Sequence, residues 1–155
     1  MKTRIVLMLL LSTLIATIAG AQTQTKQYAA KFICGKADGA NPAAPGVYWT
    51  AINVHNPLLR KEITFVKKFT IGLPKEKVGK ISTWFRGILR ADETLQIDCV
   101  DIWAHLSVPA GSFVEGFAVI QPSSELDVVG VYTAAPPNGG VSTMQMERVP
   151  LRLTQ

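Results

Sequence analysis

The residues best equipped for chemistry in this 155-residue chain are two histidines, two cysteines and a few paired carboxylates. His55, Cys99 and His105 occur in the order in which a blue-copper site presents its strong ligands. Such a site needs two imidazoles, one thiolate and a weak axial methionine, held on a β-sandwich. The methionine is missing: after His105 the chain reads "LSVPAGSF", and Met144 and Met146 come two strand-like runs later. Fifty residues also follow His105, where a copper protein would have room for one last strand. Two histidines cannot build a three-His zinc site, and a mixed site with Asp98 or Asp101 requires distant segments to meet. His55, Cys99 and His105 are therefore weak metal candidates, and no metal or other cofactor is expected. The stretch "NVHNP" (53–57) reads more plainly as a strand end. Pro57 cannot donate to a ladder and keeps Asn56 extended, while the Asn56 side chain can hold the turn.

Other chemistries fare no better. There is no Gly-x-Ser-x-Gly elbow, and Ser112 in "AGSFVEG" lacks the flanks of one. A Cys99–His105 nucleophile pair would need a free thiol. Carboxylates cluster as Asp92-Glu93, Asp98 with Asp101, and Glu125 with Asp127. A glycosidase requires two carboxyls facing across roughly 5 to 9.5 Å. Asp92-Glu93 reads more simply as a turn and Glu125 as a strand start, while Asp127 lies within an apolar strand, pointing outward or bonded to a neighbouring loop. A calcium site at Asp98 and Asp101 lacks the usual run of oxygen ligands. No catalytic residue is assigned, and the chain is read as a non-enzyme. Trp49, Trp84, Trp103, Phe85 and Phe117 could furnish a platform for a sugar, although large aromatics in small sandwiches mostly build the core. Trp103 with His105 is the candidate ligand-binding pair.

The compartment follows from the first residues. Lys2 and Arg4 precede an apolar run from Ile5 to Ile18, and Ala19-Gly20-Ala21 offers a signal-peptidase site. The run is too short for the roughly 20 residues of a spanning helix. Residues 1–21 are thus expected to be a signal peptide, giving a periplasmic or secreted protein with no stable membrane insertion after cleavage. Losing Lys2 and Arg4 lowers the formal charge from +5 to +3. The basic stretches at Lys67-Lys68 and Lys75 to Lys80 lack aromatics spaced for base stacking, so no nucleic-acid partner is expected. Export also makes one disulfide natural for an even cysteine count, with Cys34 and Cys99 as the pair. Two separately buried thiols are the open alternative.

Positioning these residues falls to β-structure. Turn signals punctuate eight runs rich in β-branched and aromatic residues: 28–34, 47–55, 62–73, 79–90, 94–99, 112–121, 125–134 and 141–149. In 62–73, Ile63, Phe65 and Lys67 share one face and Thr64, Val66 and Lys68 the other, while 125–134 is apolar on both. The one short-helix candidate is 100–106, directly ahead of the Pro/Gly-rich "VPAGS". The expectation is an all-β chain: a flexible lead-in at 22–27, then a single antiparallel β-sandwich over 28–152. It has seven or eight strands and at most one short helix.

Three stretches, "YWTAINVHNP", "LQIDCVDI" and "FVEGFAVIQPSSELDVVGVYT", resemble an uncharacterised family of exported bacterial β-sandwich proteins across nearly the whole mature chain. More remotely, the first strands and the late "VIQ" pair are similar to the sensory rhodopsin transducer, a small oligomeric β-sandwich protein. The resemblance implies a sandwich and self-association, and it brings no catalytic residues. The functional expectation is an exported, non-catalytic protein acting through contacts with an unknown protein partner or with itself. A small-ligand or carbohydrate-binding module near Trp103 and His105 is the alternative, and a copper or other metal protein a lower one.

Overall fold

The structure is a computed structural model that describes residues 24–39, 43–140 and 143–154. The expected signal peptide (1–21) lies outside the described residues. Among those described there are ten strands and one helix. The strands are β1 (Thr25–Ala37), β2 (Gly46–His55), β3 (Ile63–Leu73), β4 (Lys77–Ile81) and β5 (Phe85–Leu89). Then come β6 (Thr94–Asp98), helix α1 (Cys99–Leu106), β7 (Val114–Pro122), β8 (Asp127–Ala135), β9 (Thr143–Arg148) and β10 (Arg152–Thr154).

All pairings are antiparallel; short connections account for β1–β2, β3–β4 and β8–β9, and the other pairs join strands that are not consecutive in sequence. Long β1 belongs to two layers. Its residues 28–34 pair with β7, which pairs with β3, whose far edge carries β4 and β5. Its residues 35–37 pair with β2, which continues through β8 to β9, with β6 on the same side of β2 as β1. The change of layer falls at Gly35, whose φ of 92° only glycine adopts freely. A Cβ there would also overlap the Ser112 carbonyl. The layers enclose one sandwich-like core: Phe32, Phe69, Ala118 and Ile120 from one, Ile52, Val54, Ile97 and Val128 from the other.

Two sequence expectations change in detail. The single run 79–90 is two strands that pair with β3 along its whole length. The register slides by one residue between Thr70 and Gly72, and again between the Thr70–Ile81 and Lys67–Phe85 pairs. Ser82 sits in the second irregularity and stands in for a ladder residue, its N–H donating to the Phe69 carbonyl and its Oγ accepting from the Phe69 N–H. Bulges of this sort are common on sheet edges, where they re-aim side chains. Thr25–Gln27, expected as part of a loose lead-in, instead form a ladder with β10, which was too short to register as a run of its own.

Helix α1 is fixed by local chemistry and then by burial. Asp98 caps it, accepting from the N–H groups of Val100 and Asp101, while Asp101 reaches back to the Asp98 N–H. This capping box accounts for both carboxylates that calcium might have used. Ser107 ends the helix in the left-handed region. Cys99, Ile102, Trp103 and Leu106 recur at the spacing of one helical face, and all four are buried. Cys99 is bridged to Cys34 of β1, with Cα atoms 5.5 Å apart and a sequence separation of 65. A closed loop of that length contributes about 4 kcal/mol in the chain-entropy account.

Candidate functional site

The structure does not gather His55, Cys99 and His105. The sulfur of Cys99 is consumed in the disulfide and lies against the Thr50 N–H. His55 is five residues further along β2, roughly 16 Å at strand rise. There its Nε2 lies 3.1 Å from Asp92 Oδ1, and its Nδ1 lies 3.6 Å from Asp127 Oδ2. Asp127 is also held by Arg148 at 2.7 Å. His55 thus joins the end of β2 to the β5–β6 turn and the start of β8. Among the described residues, no group of three or more His, Cys, Asp or Glu side chains is placed to hold a metal ion.

Its neighbour Asn56 is fully buried and carries more hydrogen bonds than any other side chain in the "NVHNP" stretch. The Asn56 amide donates to the carbonyls of Lys61 (2.7 Å), Arg90 (2.8 Å) and Leu89 (3.2 Å), and its Oδ1 accepts from the Leu58 N–H (2.9 Å). The sequence signal for a strand terminator is therefore realised in full, with β5 tied into the same knot.

Trp103 is 6% exposed and points its ring into the core. Its Nε1–H donates to the Ser112 carbonyl at 2.9 Å, and its ring meets Trp49 edge to face. That fully engaged indole positions the loop at 109–112 and does not line the cleft beside the helix. His105 does. The cleft, of about 520 Å³, opens between the β4–β5 irregularity and the last turn of α1. Its walls are Lys80, Ile81, Ser82, Thr83, Phe85, Ala104, His105 and Ser107.

The state of His105 follows from its partner. Nδ1 lies 2.7 Å from the Asp101 carbonyl, which can only accept, so Nδ1 carries a proton. In the neutral ring Nε2 then holds a lone pair, and it has no partner among the described residues. Phe85 and Phe69 hold the ring edge to face, with centroids 4.1 and 5.3 Å away. One inward-facing neighbour is unusual. Lys67 takes its place on the buried row of Ile63, Phe65 and Phe69, opposite Phe85. Burial pushes its ammonium below the ordinary value of 10.5, and Asp101 on the helix opposes that shift.

His105 was legible from sequence as a site candidate, whereas Lys80, Ser82, Thr83 and Ser107 were not. Their only signal was Ser82-Thr83 interrupting an otherwise apolar run, which marks the break between β4 and β5. A larger hollow of about 740 Å³ lies over the outer face of β3 and β5, around Val66, Arg86, Gly87 and Ile88. It contains none of the residues singled out from sequence.

No family model and no curated protein sequence matches the chain. A solved structure, the crystal structure of Thermotoga maritima 1070, is similar in fold, with a TM-score of 0.51 and 9% sequence identity. The match covers 83% of this chain and 95% of that one, so the likeness extends over nearly the whole domain and concerns the fold alone.

Proposed function

We propose that this is an exported, non-catalytic protein that acts through contacts of its sheet surfaces, with a second copy of itself as the partner. The observation that carries this reading is the free edge of β9. Every described residue of that strand is exposed, and among the described residues no further strand follows it in the layer. Met144 and Met146 are 67% and 68% exposed. The register sets Met144 beside Thr133 and Trp49, and Met146 beside Val131 and Ala51, on the face turned away from the core. Proteins usually blunt such edges with lysines, prolines or bulges. The opposite edge of the molecule does so at Lys77, Lys80 and the β4–β5 irregularity, whereas β9 contains no lysine or proline.

A twofold antiparallel pairing places one residue opposite itself. With Gln145 on that axis, Met144 of each copy faces Met146 of the other, and two apolar faces join into one. The remote likeness to an oligomeric transducer supports the same reading, as does the disulfide for export. No helix among the described residues is long and apolar enough to cross a membrane.

Light scattering after size exclusion tests the proposal. The expected mass is that of a dimer, and Met144→Lys with Met146→Lys should give a folded monomer whose melting temperature no longer depends on concentration. A wild-type protein that stays monomeric at high concentration would overturn it. The alternative, a small-ligand or carbohydrate-binding module, is favoured by a different observation, the unpaired His105 Nε2 in its cleft.

A further inference from the structure

We infer that the cleft between the β4–β5 irregularity and α1 binds a small 2-hydroxy carboxylate with an apolar substituent. The inference rests on the ligand-binding alternative and is independent of the β9 contact.

The lining supplies complementary chemistry. Lys80 brings an ammonium with no ion pair among the described residues, and no carboxylate lines the cleft to neutralise it. Thr83 and Ser107 bring hydroxyls whose side chains likewise have no hydrogen bond there. Ser82 is already committed, since its Oγ donates to the Thr83 carbonyl and accepts from Phe69. One cation and two free hydroxyls make a surface for a carboxylate, because charge-assisted bonds to an anion are the stronger kind.

His105 then selects what stands beside that carboxylate. With Nδ1 protonated, the neutral ring offers its Nε2 lone pair, which accepts from a donor on the ligand. An ammonium donor, as in an amino acid, would add a second cation beside Lys80, and no carboxylate of the protein lines the cleft to balance it once the ligand's own carboxylate is engaged. A neutral hydroxyl has no such cost. The donor is therefore the hydroxyl of a 2-hydroxy acid, close enough to the carboxylate for both to fit one cleft. Phe85, Ile81 and Ala104 form the remaining wall and accommodate an apolar substituent. The ring of His105 is held by Phe69 and Phe85 and its Nδ1 by the helix, so the acceptor is in place before the ligand arrives.

The ring signals of the two histidines in an NMR titration provide the test, with His55 as the internal control. The probes are 3-phenyllactate, 3-phenylpropionate (no hydroxyl) and phenylalanine (ammonium in place of hydroxyl). Phenyllactate should shift the His105 ring saturably and leave His55 unmoved. The other two should bind about tenfold more weakly, as expected for one lost hydrogen bond to an imidazole or one unpaired charge. Lys80 is on the surface, so Lys80→Ala should fold normally, weaken phenyllactate about tenfold and flatten its dependence on salt. Thr83→Val should weaken it less. Three results would overturn the inference: no saturable shift at His105, a shift confined to His55, or equal binding of phenylpropionate. Each would leave the dimer reading standing, since that is decided by mass and not by the histidine signals.

Discussion

Replacing Asn56 by alanine and by aspartate should separate what this side chain does from the mere filling of space. The amide has two hydrogens for three carbonyls, so the Leu89 contact at 3.2 Å shares a donor with the shorter bonds to Lys61 and Arg90. Removing the side chain breaks about three bonds' worth of pairing, counting the Leu58 N–H on Oδ1. Lys61 and Arg90 are exposed residues whose carbonyls can find water, so their cost lies near 1 kcal/mol each. Leu89 is buried, so its carbonyl would lose this donor where water cannot readily replace it. Together these give a loss of roughly 3–4 kcal/mol for Asn56→Ala, a large share of the 5–15 kcal/mol that holds a domain. Asn56→Asp is nearly the same size but turns the donor into a second acceptor. A carboxylate facing three carbonyls is forced toward its neutral form, so its native pKa lies above the unfolded value of about 3.9. The stability of this variant is therefore greatest below that pH and is lost as pH rises through the native pKa. Urea unfolding followed by tryptophan fluorescence should show a pH-independent deficit for Asn56→Ala between pH 4 and 8 (roughly, the span over which carboxylates titrate). Over the same span the deficit of Asn56→Asp should grow. An alanine variant within about 1 kcal/mol of wild type would refute the hydrogen-bond accounting. A flat pH profile for the aspartate variant would refute the placement of the amide against carbonyls.

Two tyrosines should respond in opposite directions to loss of a hydroxyl. The Tyr28 hydroxyl donates to the Leu126 carbonyl and accepts from the Leu126 N–H, so Tyr28→Phe should cost about 2 kcal/mol in urea unfolding. Burial raises its pKa above 10.0, so the stability held by the neutral phenol is present below that pH and lost as pH rises through the raised value. The Tyr132 hydroxyl is buried with no hydrogen-bond partner among the described residues, so Tyr132→Phe should be neutral or stabilising by about 1 kcal/mol. Lys67→Met should raise stability at neutral pH. The native pKa of Lys67 is lowered, so below it the cost of a half-buried ammonium is fully present. Between it and 10.5 the unfolded chain binds more protons, and wild-type stability rises with pH. The melting curves of wild type and variant should converge as pH approaches that upper value, and a constant gap would contradict the assignment.

How far the sequence disclosed this arrangement depended on how local each cause was. Strand runs ending at Asn56-Pro57 or at Pro74 carry their own punctuation, and the all-β architecture follows from many such signals agreeing. The helix was legible only as a short candidate at 100–106, and the capping box of Asp98 and Asp101 that starts it came to light with the structure. The disulfide was half legible, since the cysteine count suggested it but only the crossing of β1 between layers brings Cys34 to the start of α1. Non-local causes stayed hidden. The division of 79–90 depends on a change of register against β3, and β10 exists because Arg152–Thr154 meet the first residues of β1.

The cleft shows why the candidate site was the least legible part. His105 reaches it because a capping box, a disulfide and four buried side chains fix α1 over the inner row of β3. Ser82 and Thr83 reach it because the edge strand slips register at that level. Neither segment signals a site by itself: one is a short amphipathic helix, the other an interrupted strand. Trp103 illustrates the converse, since its large aromatic ring suggested a ligand platform and its real work is to brace the loop at 109–112. Asn56, Tyr28 and Trp103, which the fold uses structurally, have their polar side-chain atoms paired. Among the described residues, His105, Lys80, Thr83 and Ser107 have polar side-chain atoms without partners around one opening, and that contrast, more than residue type, marks the place to look for a ligand.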